Sequence, residues 1–239
     1  MRAVVCGANG AMGKLIRELL GDRVVGCVSI DGENGVPKTF AELGIVDADV
    51  VIDFSHHTAA PAVVDYAKKL GCAAVIGTTA HTPEEKQTIL DAAGQIPVFL
   101  SGNMSIGIAV LCKLAKQAAA SLPDADIEIV EIHHNRKVDA PSGTARMLFE
   151  AVKSARPELY EHPGRAGEGK RTPNEVGISS LRMGGIVGVH EVHICTGNQS
   201  LTLRHEAHNR GMLAEGAVNA AEFICGKAPG LYTMEDLLR

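Results

Sequence analysis

The feature that most narrows the fold is a junction close to the first residue. RAVVC (2–6) is a short β-branched run, GANGAMG follows it directly, and KLIRELL then carries apolar positions at helical spacing. Strand, glycine turn and helix form the opening unit. The rhythm repeats with apolar strands at VVGCVS (24–29), ADVVIDFS (48–55), AAVIGTT (73–79) and IPVFL (96–100). A helix from about Thr58 and another opened by Thr82-Pro83-Glu84-Glu85 stand between them. Nearly continuous apolar strands alternating with helices imply a parallel sheet covered on both faces. The expected class is α/β, with an N-terminal Rossmann-like, doubly wound parallel sheet over residues 1–104 that binds a dinucleotide.

The pattern changes near Ser105. An alanine-rich helix (Gly107 to Leu122) ends at Pro123, strand DIEIVEI leads into HHNRKVDAPSGT, and a helix, TARMLFEAVKSA, follows. Residues 156–174, RPELYEHPGRAGEGKRTPN, are rich in Pro, Gly and charge without periodicity, which predicts an exposed, mobile loop of the kind used as a lid. GISSLRM, IVGVHEVHICTG and SLTLRHEAH then read as strands joined by turns that fit antiparallel pairing. These features predict a second, α+β domain over 105–211, with the final helical segment, 212–239, packing back on the first domain.

Charge and composition exclude several classes. A net charge of -5 without any run of Lys or Arg argues against a nucleic-acid partner. No apolar run approaches the length of a membrane span, and no signal-type segment opens the chain, so a cytoplasmic protein without a membrane partner is expected. The six cysteines lack CxxC spacing and sit mostly in apolar stretches, which predicts buried, reduced thiols.

GANGAMG places Gly7, Gly10 and Gly13 at G-x-x-G-x-x-G spacing between the first strand and the first helix. A tight turn, close approach of backbone to a pyrophosphate, and helix N-terminal N–H groups aimed at the anion all need that arrangement. In such folds an acidic side chain at the end of the second strand takes the adenosine ribose, and Asp31 stands near that place, with Glu33 as a fallback. The lack of a neighbouring arginine favours NADH, whereas Lys38 is close enough to serve a 2′-phosphate; the cofactor is NADH or NADPH. GTT (Gly77, Thr78, Thr79) and SGNMS (Ser101 to Ser105) end later strands, where further cofactor contacts belong; turn chemistry alone also explains their residues.

HHNRKVDAPSGT is the other candidate site. Strand alternation puts Ile127, Ile129, Glu131 and His133 on one face and His134 on the other, so the adjacent histidines diverge. Glu131 can orient the His133 ring or raise its basicity. Ser142 is a natural N-cap for the following helix, and the N–H groups of Gly143 and Thr144 make a carboxylate cradle. Lys137 can serve the same anion or donate a proton. The combination predicts a small dicarboxylate substrate. HEVH (190–193) and HEAH (205–208) fail as metal motifs, because histidines three apart in a strand face opposite ways; no metal is expected.

GANGAMG, GTT, SGNMSIG and EIHHNRKVDAPSGTA, with GRAGEGKR, LRMGGIVGVHEV and HEAHNRGM downstream, together resemble the bacterial 4-hydroxy-tetrahydrodipicolinate reductase (dihydrodipicolinate reductase) family of lysine and diaminopimelate biosynthesis. The resemblance covers essentially the whole chain. It implies hydride transfer from NADH or NADPH to C4 of the cyclic imine acid with loss of its hydroxyl, and a C-terminal domain that binds substrate and builds a homotetramer. It implies His133 as general acid/base and Lys137 as proton donor, with His134, Gly143 and Thr144 on the substrate carboxylates. Gly7, Ala8, Asn9, Gly10, Ala11 and Met12, Gly77 to Thr79, and Ser101, Gly102, Asn103 and Met104 match the cofactor segments. Two departures stand out: Ser101-Gly102-Asn103-Met104 replaces the Ala-Pro-Asn-Phe or Ala-Ala-Asn-Phe of many relatives, and Ala80 replaces the glycine that commonly follows GTT. Aspartate dehydrogenase or homoserine dehydrogenase-like enzymes share the architecture without HHNRKVDAPSGT. A redox-sensing dinucleotide binder would need neither His133 nor Lys137.

Overall fold

Two runs of apolar side chains collect into two separate cores. The computed structural model describes all residues from Met1 to Arg239. The chain divides into one unit made of Met1–Ser105 with Gly211–Arg239, and a second made of Ile106–Arg210. The first stretch contains β1 (Ala3–Cys6), α1 (Ala11–Leu20), β2 (Val24–Val28), α2 (Phe40–Leu43), β3 (Val50–Asp53), α3 (Ala60–Leu70), β4 (Ala73–Ile76), α4 (Pro83–Ala93) and β5 (Pro97–Leu100). The second unit contains α5 (Ile106–Ser121), β6 (Asp126–His133), α6 (Gly143–Ala155), β7 (Tyr160–Pro163), β8 (Glu175–Arg182), β9 (Gly188–Cys195) and β10 (Ser200–Ala207). The chain then returns to the first unit with α7 (Gly211–Ile224), β11 (Gly230–Tyr232) and α8 (Met234–Leu237).

The first unit holds a six-stranded parallel sheet in the order β11-β5-β4-β3-β1-β2. Every residue of β1, β3 and β4 is buried, as expected of strands covered on both faces. Val4, Val51, Ile76, Ile89 and Val98 share one core. Thr82 caps α4 through a reciprocal pair with Glu85, and Pro83 occupies the first turn, where its missing N–H costs nothing. Strand order reverses between β1 and β3, so the loops leaving the carboxyl ends of these strands open the crevice typical of such sheets. β11, pairing parallel with β5, is a sixth strand that the sequence did not suggest.

The second unit is a mixed five-stranded sheet in the order β10-β9-β6-β8-β7, backed by α5 and α6. Leu111, Ile129, Leu148, Phe149 and Val192 lie in its core. The adjacent strands β8 and β9 do not form the expected hairpin. Both pair with β6 instead, β8 parallel to it and β9 antiparallel, while β9 and β10 do pair antiparallel. Covering a central apolar strand on both edges outweighs the short connection.

The expected loop is corrected in one part. Residues 160–163 form β7, an edge strand parallel to β8. Beyond it Arg171 binds Asp126 at 2.9 Å and Glu128, Arg165 binds Glu175, and Thr172 donates to Glu175 at 2.7 Å. These anchors lie at the amino ends of β6 and β8, roughly 20 Å along the strand from His133 at the 3.3 Å rise of extended chain. Pinned there, the segment stands away from His133, while residues 164–170 stay exposed without regular structure. All six cysteines are free, but only Cys6 and Cys72 are buried; Cys27, Cys112 and Cys225 are half-buried and Cys195, at the end of β9, is exposed.

Candidate active site

In the first unit the site is built from backbone. Gly7 has φ +78, and a Cβ there would stand 2.3 Å from the Phe54 carbonyl oxygen. A Cβ on Gly13 would stand 2.1 Å from the Gly7 oxygen, so the first turn of α1 can fold against the loop only without side chains. Gly10 caps α1 without any side-chain hydrogen bond, and no acidic residue lies in that first turn, leaving Ala11 and Met12 to present their N–H groups to an anion.

Asn9 ties this loop to the end of β2. Its Nδ2 donates to Asp31 Oδ1 at 2.6 Å and to the Glu33 carbonyl at 3.1 Å, while its Oδ1 is buried without a partner. The Asn9 bond and the Glu33 N–H hold the Asp31 carboxyl below its usual range. Lys38 folds across Gly32 in the same loop. Phe54 lies against Gly77, and Thr78 Oγ1 accepts the Ser55 N–H at 3.0 Å, which draws the loops after β3 and β4 together. Gly102 packs beside Thr79, and the Ser101 hydroxyl both donates to the Asn103 carbonyl and accepts its N–H. The three expected cofactor segments and Asp31 therefore share one edge of the sheet. Met104 departs from them: its side chain is enclosed in the unit, and its carbonyl meets Gly216 of α7.

In the second unit the site is built from side chains. The burial of β6 alternates strictly, so Ile127, Ile129, Glu131 and His133 face the helices. His133 Nδ1 lies 2.5 Å from Glu131 Oε2. Arg182, at the end of β8, donates to both oxygens of the same carboxylate at 2.8 and 2.7 Å, and the Ser142 N–H donates to Oε1 at 3.0 Å. Burial would raise the Glu131 carboxyl; the bonds from His133, Arg182, Ser180 and Ser142 outweigh it and hold the group well below the usual carboxylate range.

His190 of β9 packs edge-on against His133, with ring centroids 5.0 Å apart, and its Nε2 lies 3.3 Å from the Ser142 hydroxyl. Burial, with the neighbouring His133 adding to it, pushes His190 down to about 3, so it is neutral at physiological pH. Ser142 caps α6 by accepting the Ala145 N–H, and Gly143 and Thr144 form the same first turn. His134 diverges from His133 as expected; its Nδ1 is buried without a partner. Burial, followed by Arg136, Arg210, His133 and Lys137, lowers its affinity for a proton, which marks an electropositive patch around a neutral ring. Lys137 pairs with Asp139 at 2.8 Å.

A family model described as the dihydrodipicolinate reductase N-terminus matches residues 1–104, and one described as the C-terminus matches residues 107–238. The chain belongs to the dihydrodipicolinate reductase family. The 4-hydroxy-tetrahydrodipicolinate reductase of Caldanaerobacter subterraneus subsp. tengcongensis is 44% identical over 250 residues, spanning 100% of this chain and 98% of that protein. The enzyme of that name from Alkaliphilus oremlandii is 41% identical over 245 residues, with 100% and 98% covered. Among solved structures, a dipicolinate-bound dihydrodipicolinate reductase from Paenisporosarcina sp. TG-14 shares the fold with a TM-score of 0.78 at 23% identity, over 98% of this chain and 97% of that one.

Reductase chemistry in this family calls for a nicotinamide cofactor, and the first unit fits one. Its glycine cradle has no room for side chains, its α1 terminus lacks a cap, and the buried Asn9 Oδ1 awaits a donor. No group of three or more His, Cys, Asp or Glu side chains is arranged to hold a metal ion. Arg182 and His190 were missed in the sequence as members of the cluster around Glu131 and His133. The signal that could have found Arg182 is Glu131 itself, a carboxylate on the buried face of a strand, which requires a cationic partner.

Proposed function

We propose that this protein reduces 4-hydroxy-tetrahydrodipicolinate to tetrahydrodipicolinate in lysine (diaminopimelate) biosynthesis, with His133 as general acid/base and Lys137 as proton donor. The observation that carries the roles is the Glu131–His133 pair: with Nδ1 committed to the carboxylate, the ring has only Nε2 left to exchange a proton. A reduced nicotinamide, when bound, supplies the hydride. Loss of the substrate hydroxyl as water consumes one proton, which we assign to Lys137 once its ammonium leaves Asp139. His134 and the α6 terminus at Ser142, Gly143 and Thr144 take the two carboxylates, supported by the surrounding Arg136 and Arg210.

The cofactor rests on Gly7 to Met12, Gly77 to Thr79 and Ser101 to Asn103, with Met104 acting through its backbone. Asp31, ionised beside Asn9, takes the adenosine ribose and favours NADH over NADPH. We place a cytoplasmic homotetramer in the same proposal; no helix is long and apolar enough to cross a membrane, and the exposed edge strand β10 offers a surface for a second copy. The test is oxidation of NADH and of NADPH followed optically with freshly generated substrate. Turnover is expected with both and a higher kcat/KM with NADH. A folded protein that binds NADH without turning over would overturn the reaction, and a clear preference for NADPH would overturn the role of Asp31.

A further inference from the structure

One carboxylate organises more of the second unit's site than proton transfer by His133 requires. Glu131 is fully buried, and its two oxygens are held by the His133 ring, both terminal nitrogens of Arg182 and the Ser142 N–H, with Ser180 beside them. Ser142 in turn caps α6. Arg182 reaches further, donating to the Asp139 carbonyl at 2.6 Å, and Asp139 is the residue whose side chain holds Lys137. The ring, the turn that cradles a carboxylate, and the segment carrying the lysine thus converge on one ion pair.

Gly188 adds an observation from another strand. A Cβ there would stand 3.1 Å from His133 Nε2. The missing side chain keeps β9 from crowding Nε2, while Nδ1 is covered by Glu131.

We propose that Glu131 and Arg182 form a positioning pair, which fixes His133 with Nδ1 protonated toward Glu131 and Nε2 toward the reacting atoms, and sets the α6 terminus and Lys137 in register with it. Neither residue touches substrate. The guanidinium balances the carboxylate, so Glu131 takes no proton from the ring and its geometry stays constant through turnover. A lysine would keep the charge and lose the two-pronged grip. The inference rests on the assignment of His133 as the proton-transfer group. The ring meets His190 from β9 and shares Glu131 Oε2 with Arg182 from β8; Arg182 links on to Asp139 of the following loop, whose side chain pairs with Lys137.

The experiment uses the full chain labelled with nitrogen-15 histidine, with His133 assigned by comparison with His133→Asn, in wild type, Glu131→Gln, Arg182→Lys and Gly188→Ala. Tautomer and titration midpoint are read by NMR beside kcat and KM against pH. In wild type the neutral ring should carry its proton on Nδ1. Glu131→Gln should mix the tautomers, shift the midpoint, move the acidic limb of the pH profile and lower kcat on the order of 100-fold, the scale of general acid–base catalysis. Arg182→Lys should retain part of each effect. Gly188→Ala should leave the tautomer unchanged and lower kcat.

An unchanged tautomer and midpoint in both Glu131→Gln and Arg182→Lys would overturn the positioning role even if thermal stability fell. Should Glu131→Gln not fold, Arg182→Lys decides by the same spectrum. Full activity in His133→Asn would instead sink the acid/base assignment, leaving the tautomer readout to judge the positioning pair by itself.

Discussion

The two units make their candidate sites from different material. In the first, the shape of the main chain does the work: glycines where a Cβ would collide with backbone, an α1 terminus without a cap, and loops drawn together by Phe54 against Gly77. In the second, main-chain shape matters less than a polar network in which Glu131 holds His133, Arg182 and Ser142, and His190 meets His133 and Ser142. A backbone site serves a ligand whose recognised part is constant, whereas proton transfer needs side chains with set ionisation states. The first kind should fail abruptly under a single added methyl group. The second should fail by degree, according to which partner is removed.

Gly13→Ala gives the largest expected effect. Its Cβ would meet the Gly7 oxygen at 2.1 Å and the Ala8 Cα at 2.7 Å, and backbone on both sides cannot turn away. We expect destabilisation of about 3 kcal/mol, at the upper end of overpacking costs, and loss of NADH binding by fluorescence titration. Binding within twofold of wild type would show that the cradle is looser than its geometry.

Lys137→Ala breaks the comparison from the other side. Its ammonium belongs to the second unit and pairs there with Asp139, so kcat should fall on the order of 100-fold while the dissociation constant for NADH stays within about twofold. A parallel loss of NADH affinity would mean that the lysine serves the cofactor.

The same contrast explains what the sequence made legible. Glycine spacing and strand-helix alternation are local, and the edge formed by Gly7 to Met12, Asp31, Gly77 to Thr79 and Ser101 to Asn103 could be read from them. The alternation along β6 likewise placed Glu131 beside His133 and turned His134 away. Arg182 lies 51 residues from Glu131 and reaches it because β8 pairs parallel with β6, a pairing that neighbouring strands joined by turn residues do not announce. His190 arrives by the antiparallel pairing on the other edge, where its register partner is Glu131. β7 was invisible because YEHP is short and carries no alternation. The loop beyond it looked mobile because Arg171 is anchored by Asp126 and Glu128, far back in the chain, a pairing that the loop's own residues do not announce.

His190 yields a pH test that the first unit should not share. Its folded value, about 3, lies below the roughly 6.5 of an exposed histidine. A depressed base contributes stability that is fully present above about pH 6.5 and is lost as the pH falls toward 3, because the unfolded chain binds the proton first. Between pH 7.5 and 5.0 this group should cost on the order of 2 kcal/mol, at about 1.4 kcal/mol per pH unit below its unfolded value. Thermal unfolding of wild type and His190→Gln at both pH values should show a smaller acid-induced fall in Tm for the variant. Equal falls would mean that His190 is charged in the folded state.

The smallest effect lies in the loop after β4 of the backbone-built unit. Ala80 follows Gly77 to Thr79 with φ +64, in the left-handed region where a Cβ crowds the next carbonyl. An L residue there costs about 1–2 kcal/mol, and glycine would relieve that while giving back about 0.5–1 kcal/mol of chain entropy. Ala80→Gly should therefore stabilise the protein by about 1 kcal/mol, or roughly 2–4 °C in Tm for a chain of this size. Ala80 is exposed, so the change removes little packing, and NADH affinity should stay within about twofold. A fall in Tm would show that the loop after β4 leaves the left-handed conformation in solution. A rise in Tm with weakened NADH binding would be more instructive, because it would mean that the strained alanine holds the Gly77 to Thr79 segment in its binding geometry, and that this unit depends on one side chain after all.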